Sequence, residues 1–326
     1  MQHAVHYLET GSRDPYYNLA FEEYVLTHRT RGDYLLLWQN DNTIVVGQNQ
    51  NTEAEINRPF VEAHHIHVVR RSTGGGAVYH DLGNLNFTFL TVRDDYDVEK
   101  QTDTILQAVR SLGIPAEKTG RNDLTADGGK FSGHAYYRAG EQCYHHGTLM
   151  VSVDLAPLEK YLNVSPLKLQ AKGVKSVRSR VVNLRDFRPD LTLEELRAAL
   201  VKAFGEVYGL PVQTLTEEEL DADELAAGQA RFSDPAWIYG DSQPLEVSRE
   251  AAFPWGILRV DHSQADGVIT QAALWSDGLE GDFLSLVPEA LAGCPKNAED
   301  IRTRLSALPG SQAEMVEDIL SLLIKE

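Results

Sequence analysis

Cysteine is nearly absent: Cys143 and Cys294 are the only two, far apart in the chain. That excludes a disulfide framework and suits a reducing compartment. Positive charge is scarce as well, with 30 Lys and Arg against 48 Asp and Glu, a net charge of −18. Nucleic acid backbones repel so acidic a chain, and no nucleic acid partner is expected. No apolar run is long enough to cross a bilayer, so no membrane partner is expected either. Residues 1–20 lack the basic-then-apolar order of a secretory signal, and the expected location is cytoplasmic. Internal repeats and low-complexity tracts are missing. So are the Walker A motif and the dinucleotide fingerprint, which excludes the two commonest phosphate-binding loops.

What is present is 326 residues, 42% of them hydrophobic, enough for one large domain and one small one. The densest chemistry lies in the stretch RRSTGGGAVYHDLGN, which starts at Arg70. Val68–Val69 before its glycines and Ala77–Val78–Tyr79 after them read as strand. Three consecutive glycines let the backbone approach something bulky where a Cβ would collide. Their N–H groups suit phosphate or carboxylate oxygens, and Arg70 and Arg71 add planar, bidentate cations. The plainer alternative is a glycine-rich hairpin with surface arginines. The packing of Arg, Gly, His and Asp into one loop favours an anion site.

Other segments read as follows. Val5–Leu8 is a strand. Asp14 before Pro15 is good N-cap chemistry for a helix over Pro15–Thr27. Tyr34–Trp38 and Thr43–Val46 are strands, and Trp38 either walls an apolar pocket or is simply core. His64, His65 and His67 have no matching ligand set at a metal-binding spacing, so they read as ordinary positions at a helix end and strand start. Leu85–Val92 and Tyr144–Val153 are strands. Thr102–Leu112 is an amphipathic helix, and a capping box of Thr192 with Glu195 opens another over Leu193–Tyr208. A polar helix is expected over 216–232. GRNDLTADGGKFSGHAYY, residues 120–137, is a second glycine-bearing stretch that places Lys130 on a tight turn. Residues 165–188 carry seven basic side chains against one acid, Asp186. In so acidic a chain that island favours an anionic partner over a solvated face. From about Ala251 the pattern resets: Gly256–Asp261 and Val268–Trp275 flank the hairpin signal Asp266-Gly267, and three helices follow.

Three of these stretches, in the same order, resemble lipoate–protein ligases: RRSTGGGAVYHDLGN, GRND…GGKFSGHAYY and HHGTLMVSVDL…KGVKSVRSRV. The likeness runs through most of residues 5–240, and the tail resembles that family's small accessory domain. It implies an α+β fold, a mixed-sheet catalytic domain related to biotin ligases and class II synthetases over residues 1–245, with an α+β accessory domain over 246–326. It also implies a two-step reaction with ATP and Mg²⁺. Lipoate becomes lipoyl-AMP with loss of pyrophosphate, and a lysine of an acceptor protein then displaces AMP. The implied acceptors are 2-oxoacid dehydrogenase E2 subunits and the glycine cleavage H protein. Carried over onto this sequence, Lys130 is the catalytic cation, facing the lipoate carboxyl and the α-phosphate. Arg71, Gly76, Ala77, Val78 and Tyr79 match ATP-contacting positions. Gly75, His80, Trp38 and Gly147, with Lys130 and Arg71, would receive lipoate. Asp123 and Asn122 would hold Mg²⁺. Two rivals are an acyl transferase using Cys143 as nucleophile and a sensor that binds nucleotide without chemistry.

Overall fold

The computed structural model describes residues 4–28, 32–120, 122–156, 158–163, 181–217, 220–240 and 245–324. Most of the basic island, residues 164–180, lies outside them. Among the described residues, eleven strands belong to the larger unit. They are β1 (Val5–Glu9), β2 (Asp33–Trp38), β3 (Thr43–Val46), β4 (His67–Arg70), β5 (Val78–His80), β6 (Asn84–Val92), β7 (Ala116–Thr119), β8 (Asp123–Ala126), β9 (Gly129–Ala139), β10 (Gln142–Met150) and β11 (Val212–Thr214). Eight form one mixed sheet in the order β11-β1-β2-β6-β10-β9-β8-β7, and β4-β3-β5 form a small second sheet. In the large sheet β1 runs parallel to β2 and β11, and the remaining neighbours are antiparallel.

Every residue of β2 is buried, as expected of a strand covered on both faces. One face, carrying Leu35, Leu37, Phe87 and Phe89, packs against helices Val98–Ser111 and Leu193–Tyr208. The other carries Leu36, Trp38, Leu90 and Tyr144 and packs against helices Pro15–His28 and Ala222–Ser233. The Asp14 carboxylate accepts from the Tyr16 N–H at 2.9 Å, which starts the first helix where the sequence places it. Leu193–Tyr208 has the expected capping box and stops at Gly209, whose φ is 68°. Helix Val98–Ser111 starts earlier than its apolar stripe suggests, because Asp97 caps the N–H of Lys100. The polar helix expected from 216 begins at Ala222, capped by Asp221.

One alternative weighed in the sequence falls, and one expectation changes. The glycine loop after Arg70 is not a hairpin: β4 and β5 do not pair with each other but lie on either side of β3. Lys130 is not on a turn: the turn is Asp127-Gly128, with φ of 47° and 78°, and Lys130 is the second residue of the strand that follows. The two positive φ values make a tight hairpin between β8 and β9. The histidine trio has the plain role expected of it. His64 ends helix Arg58–Ala63, and His67 opens β4.

A second unit follows, built on a four-stranded sheet of β12 (Val247–Phe253), β13 (Gly256–Ala265), β14 (Val268–Ser276) and β15 (Cys294–Pro295). Asp266 and Gly267 turn the β13–β14 hairpin with φ of 50° and 77°. Helices Gly281–Leu291, Ala298–Ser306 and Ala313–Ile324 close a separate core of Leu258, Val260, Phe283, Ile301 and Ile319.

Gly147 marks a tight spot between strands. A Cβ there would lie 2.6 Å from the Gly133 carbonyl oxygen and 2.7 Å from Phe87 Cζ. Gly147→Ala is expected to destabilise the chain by about 1–3 kcal/mol through overpacking. Urea denaturation checks this, and an unchanged midpoint would contradict the packing described.

Candidate active site

Arg70 and Arg71 end up inside the protein. Arg70 donates to the carbonyls of Gly47, Gln48, Gln50, Trp237 and Ile238 and to Thr52 Oγ1. It fastens the loop after β3 to the short helix Pro235–Tyr239 and is not directed at a ligand. Arg71 organises the glycine loop. Its Nη2 donates to the carbonyls of Gly74 and Gly76 at 2.7 and 3.0 Å, its Nε to Thr73 Oγ1 at 3.0 Å, and its Nη1 to the Val45 carbonyl at 3.2 Å. Burial pushes both guanidinium groups down to about 10, which leaves them charged at neutral pH. With its carbonyls drawn back to Arg71, the loop is left to present its N–H side.

The accessory unit covers that loop. The Gly75 N–H, at a φ of 92°, donates to the Gly278 carbonyl at 2.8 Å. Asn49 Nδ2 donates to the Gly281 carbonyl at 2.9 Å, and the Ser276 N–H to the Asn49 carbonyl at 2.8 Å. A Cβ on Gly74 would lie 2.5 Å from the Gly278 oxygen, so only glycine permits the contact. The Arg138 N–H also meets the Asp282 carboxylate at 3.1 Å. The Arg138 guanidinium lies over the Tyr96 ring. Val78 and Tyr79 lie on β5, the edge strand of the small sheet, where backbone groups facing away from β3 are open to a partner.

Lys130 supplies the cation. Its Nζ lies 2.7 Å from Asp123 Oδ1, with the lysine side chain 23% exposed and the aspartate 7%. Burial, helped by the Arg71 charge, pulls the ammonium down to about 8. The Asp123 carboxylate acts in the opposite direction and favours the charged form. Gly133 makes room for this side chain: a Cβ there would lie 2.7 Å from Nζ. Asn122 secures the strand beneath, its Nδ2 donating to the His134 carbonyl while its own carbonyl accepts the His134 N–H, both at 2.9 Å.

Trp38 and His80 meet edge to face, with ring centroids 6.5 Å apart. Trp38 lies on β2 opposite Asn86 of β6. His80 Nε2 and Asn86 Nδ2 are buried with no hydrogen-bond partner among the described residues. Unsatisfied buried polar atoms of this kind call for a ligand or water. His80 is held neutral, since burial first, then Arg71 and His146, push it down to about 3.

The geometry thus defines a class: a mixed-sheet α+β protein that places a buried lysine paired with an aspartate and an arginine-held glycine loop in one domain with buried polar atoms that lack a partner among the described residues. The family model of the lipoyl protein ligase A/B catalytic domain matches residues 14–205, and that of the bacterial lipoate protein ligase C-terminus matches 242–323. The chain is 36% identical to lipoate-protein ligase A of Psychrobacter cryohalolentis over 98% of both chains. It is 39% identical to lipoate–protein ligase 1 of Staphylococcus aureus over 90% of each. Among solved structures it is similar to P. falciparum LipL1 in complex with lipoate, with 25% identity, a TM-score of 0.88, and coverage of 99% of this chain and all of that one. A lipoate-protein ligase A bound with ATP gives 26% identity and a TM-score of 0.62, covering 74% of this chain and 99% of that one. A bi-partite lipoate protein ligase of Thermoplasma acidophilum, studied with its E2 lipoyl domain, gives 27% and 0.64, covering 76% of this chain and all of that one. The chain belongs to the lipoate–protein ligases.

Glu22 and Thr88 do not stand out in the sequence, and His146, which there stands out only as a neighbour of Cys143, joins them in a buried polar chain on the Trp38 face. Helix Pro15–His28 is buried nearly all round, so periodicity does not separate Glu22 from the core. The spacing of Asn18 and Glu22, both buried polar residues one turn apart, is the signal that could have found it. On the opposite face Ser132, His134, His145 and Gln101 form a second such chain.

His134 is also held neutral, with burial the main cause of its fall to about 3. Unfolded, His80 and His134 would take a proton near pH ~6.5. Between these values the unfolded chain binds more protons, so stability falls as pH drops from about 6.5 towards 3. His80→Asn should flatten the fall by at most ~1.4 kcal/mol per pH unit, as read by urea midpoints at pH values across this window. A slope identical to the wild type would contradict a neutral buried His80.

Proposed function

We propose that this pocket runs both half-reactions of ATP-dependent lipoate ligation, with Lys130 as the catalytic cation. The observation that carries this reading is the buried ammonium, 2.7 Å from Asp123 and close enough to feel the Arg71 charge. In the first step a lipoate carboxylate attacks the α-phosphate of ATP, and pyrophosphate leaves. Two anions must meet, and a fixed cation in a poorly solvated site offsets their repulsion far more than it would in water. Lys130 exchanges Asp123 for the lipoate carboxyl and the α-phosphate. In the second step it steadies the AMP leaving group while an acceptor lysine attacks the mixed anhydride.

Lipoate would lie against Trp38, His80 and Gly147, its carboxyl near Gly75, Arg71 and Lys130. Arg71 serves it and ATP by holding the loop. ATP would meet the backbone of Gly76 and Ala77, with adenine against the edge-strand main chain of Val78 and Tyr79. Among the described residues no three His, Cys, Asp or Glu side chains gather to hold a metal. Mg²⁺ that arrives on phosphates needs only one or two protein oxygens, and Asp123 with Asn122 Oδ1 fits that requirement. When bound, the ion would neutralise phosphate charge.

The division into residues 1–245 and 246–326 gives the accessory unit a part in this cycle. Its Gly278 carbonyl has to leave Gly75 before that N–H can face an anion. E2 lipoyl domains and the glycine cleavage H protein are the proposed acceptors. A cytoplasmic location is proposed from cysteine usage, and no described helix is long and apolar enough to cross a membrane. The transferase alternative finds no support at Cys143. The thiol is buried within β10, and burial raises its pKa, which opposes a nucleophilic thiolate.

Lys130→Ala should slow lipoyl-AMP formation by at least ~10²-fold and leave the circular dichroism spectrum unchanged. Cys143→Ala should form the adenylate at the wild-type rate. Single-turnover release of pyrophosphate from ATP and lipoate measures both. Near-normal release by Lys130→Ala would remove the mechanism, and wild-type binding of ATP without release would favour a sensor.

A further inference from the structure

An unbroken run of hydrogen bonds links Trp38 to the glycine loop. Trp38 Nε1–H donates to Thr88 Oγ1 at 3.1 Å. The Thr88 hydroxyl donates to Glu22 Oε1 at 2.6 Å. His146 Nδ1 meets the same carboxylate oxygen at 2.8 Å, and its Nε2 meets Thr73 Oγ1 at 2.8 Å. Thr73 accepts the Arg71 Nε–H, and Arg71 holds the carbonyls of Gly74 and Gly76. Trp38, Thr88, Glu22, His146, Thr73 and Arg71 are each no more than 7% exposed.

The donors and acceptors order this chain. Trp38 can only donate, so Thr88 gives its single proton to Glu22. Glu22 Oε1, already the acceptor for Thr88, faces His146 Nδ1 as the donor. Thr73 Oγ1, the acceptor for Arg71, gives its own proton to His146 Nε2. Every side chain is fixed by the next, and buried chains of this kind lack water to absorb a displacement at one end. Glu22 comes from the first helix, Thr88 and His146 face each other across β6 and β10, and Thr73 belongs to the loop. Two neighbouring strands therefore converge on one carboxylate of the first helix, and the glycine loop joins them through His146.

We propose that Glu22 and His146 are positioning residues that couple the two substrate sites, so that lipoate seated against Trp38 sets the glycine loop for ATP. The proposal rests on the lipoate ligase reading of the pocket. It assigns the buried carboxylate a part in the order of assembly, beyond holding the core together. Linkage requires the coupling to be mutual: ATP strengthens lipoate binding by the same factor.

Calorimetric titration of the full chain with α,β-methylene-ATP, a non-reacting analogue, tests this, with and without saturating lipoate. Wild type should bind the analogue about fivefold or more tightly with lipoate present. Thr88→Val keeps the side-chain shape and cuts the chain on the tryptophan side. His146→Phe cuts it on the loop side. In both, each ligand should still bind alone, and the enhancement should fall below about twofold, less than the usual range of coupling. Glu22→Gln keeps the oxygen that accepts both hydrogen bonds and should retain the enhancement, whereas Glu22→Ala should lose it. A purely structural role would weaken each ligand separately without changing their mutual effect. Enhancement that survives both Thr88→Val and His146→Phe overturns the coupling, as does a wild type that binds both ligands independently. A wild type that binds neither ligand overturns the ligase reading itself, and the coupling with it.

Discussion

A single ammonium group, that of Lys130, sits where water is largely excluded and is kept charged by one carboxylate. Much of the surrounding structure follows from that constraint. A buried cation with no partner would lose its proton, and Asp123 prevents this at 2.7 Å. A side chain this long needs space along the strand, and Gly133 provides it. The strand needs a fixed register, which Asn122 enforces through paired bonds to His134. Carboxylate and phosphate oxygens would offer Lys130 contacts equivalent to those of Asp123, which is the basis of the exchange proposed above.

Around that cation the two arginines divide the work. Arg70 ties together the loop after β3 and the Pro235–Tyr239 helix. Arg71 pulls the carbonyls of the glycine loop to one side. Neither is an exposed clamp. Their charge reaches the pocket through a medium of low polarity, and their hydrogen bonds set the shape of the backbone there. The accessory unit lies over this loop through backbone contacts between glycines, Gly75 with Gly278 and Gly74 beside it. The close glycine approach is flanked by two side-chain contacts, Asn49 with the Gly281 carbonyl and the Asp282 carboxylate with the Arg138 N–H.

The apolar runs of β2, β6 and β10 and the capped helix Leu193–Tyr208 were legible, whereas β7, β8, β9, β11 and β12 were not read as strands. The Asp266-Gly267 hairpin was equally plain. Lys130 was harder to place. Its flanking glycines read as one long turn, whereas the turn is Asp127-Gly128 alone and the rest is strand. Local composition does not show that β9 is held by β10 along most of its length. For the site, Lys130 and the glycine loop stood out by residue type. The inward turn of Arg70 did not, since five of its acceptors are main-chain carbonyls, invisible in a sequence. The link among Glu22, Thr88 and His146 was hidden for a related reason. They come from three segments, and only the sheet brings them together.

The most direct test of the buried cation is an NMR titration of the Lys130 ε-ammonium in the free protein and with a non-hydrolysable lipoyl-adenylate analogue. The account predicts an apparent pKa near 8 when free and a rise of more than about one unit when carboxyl and phosphate oxygens replace Asp123. A Lys130 resonance that titrates at the same pH in both states would contradict it.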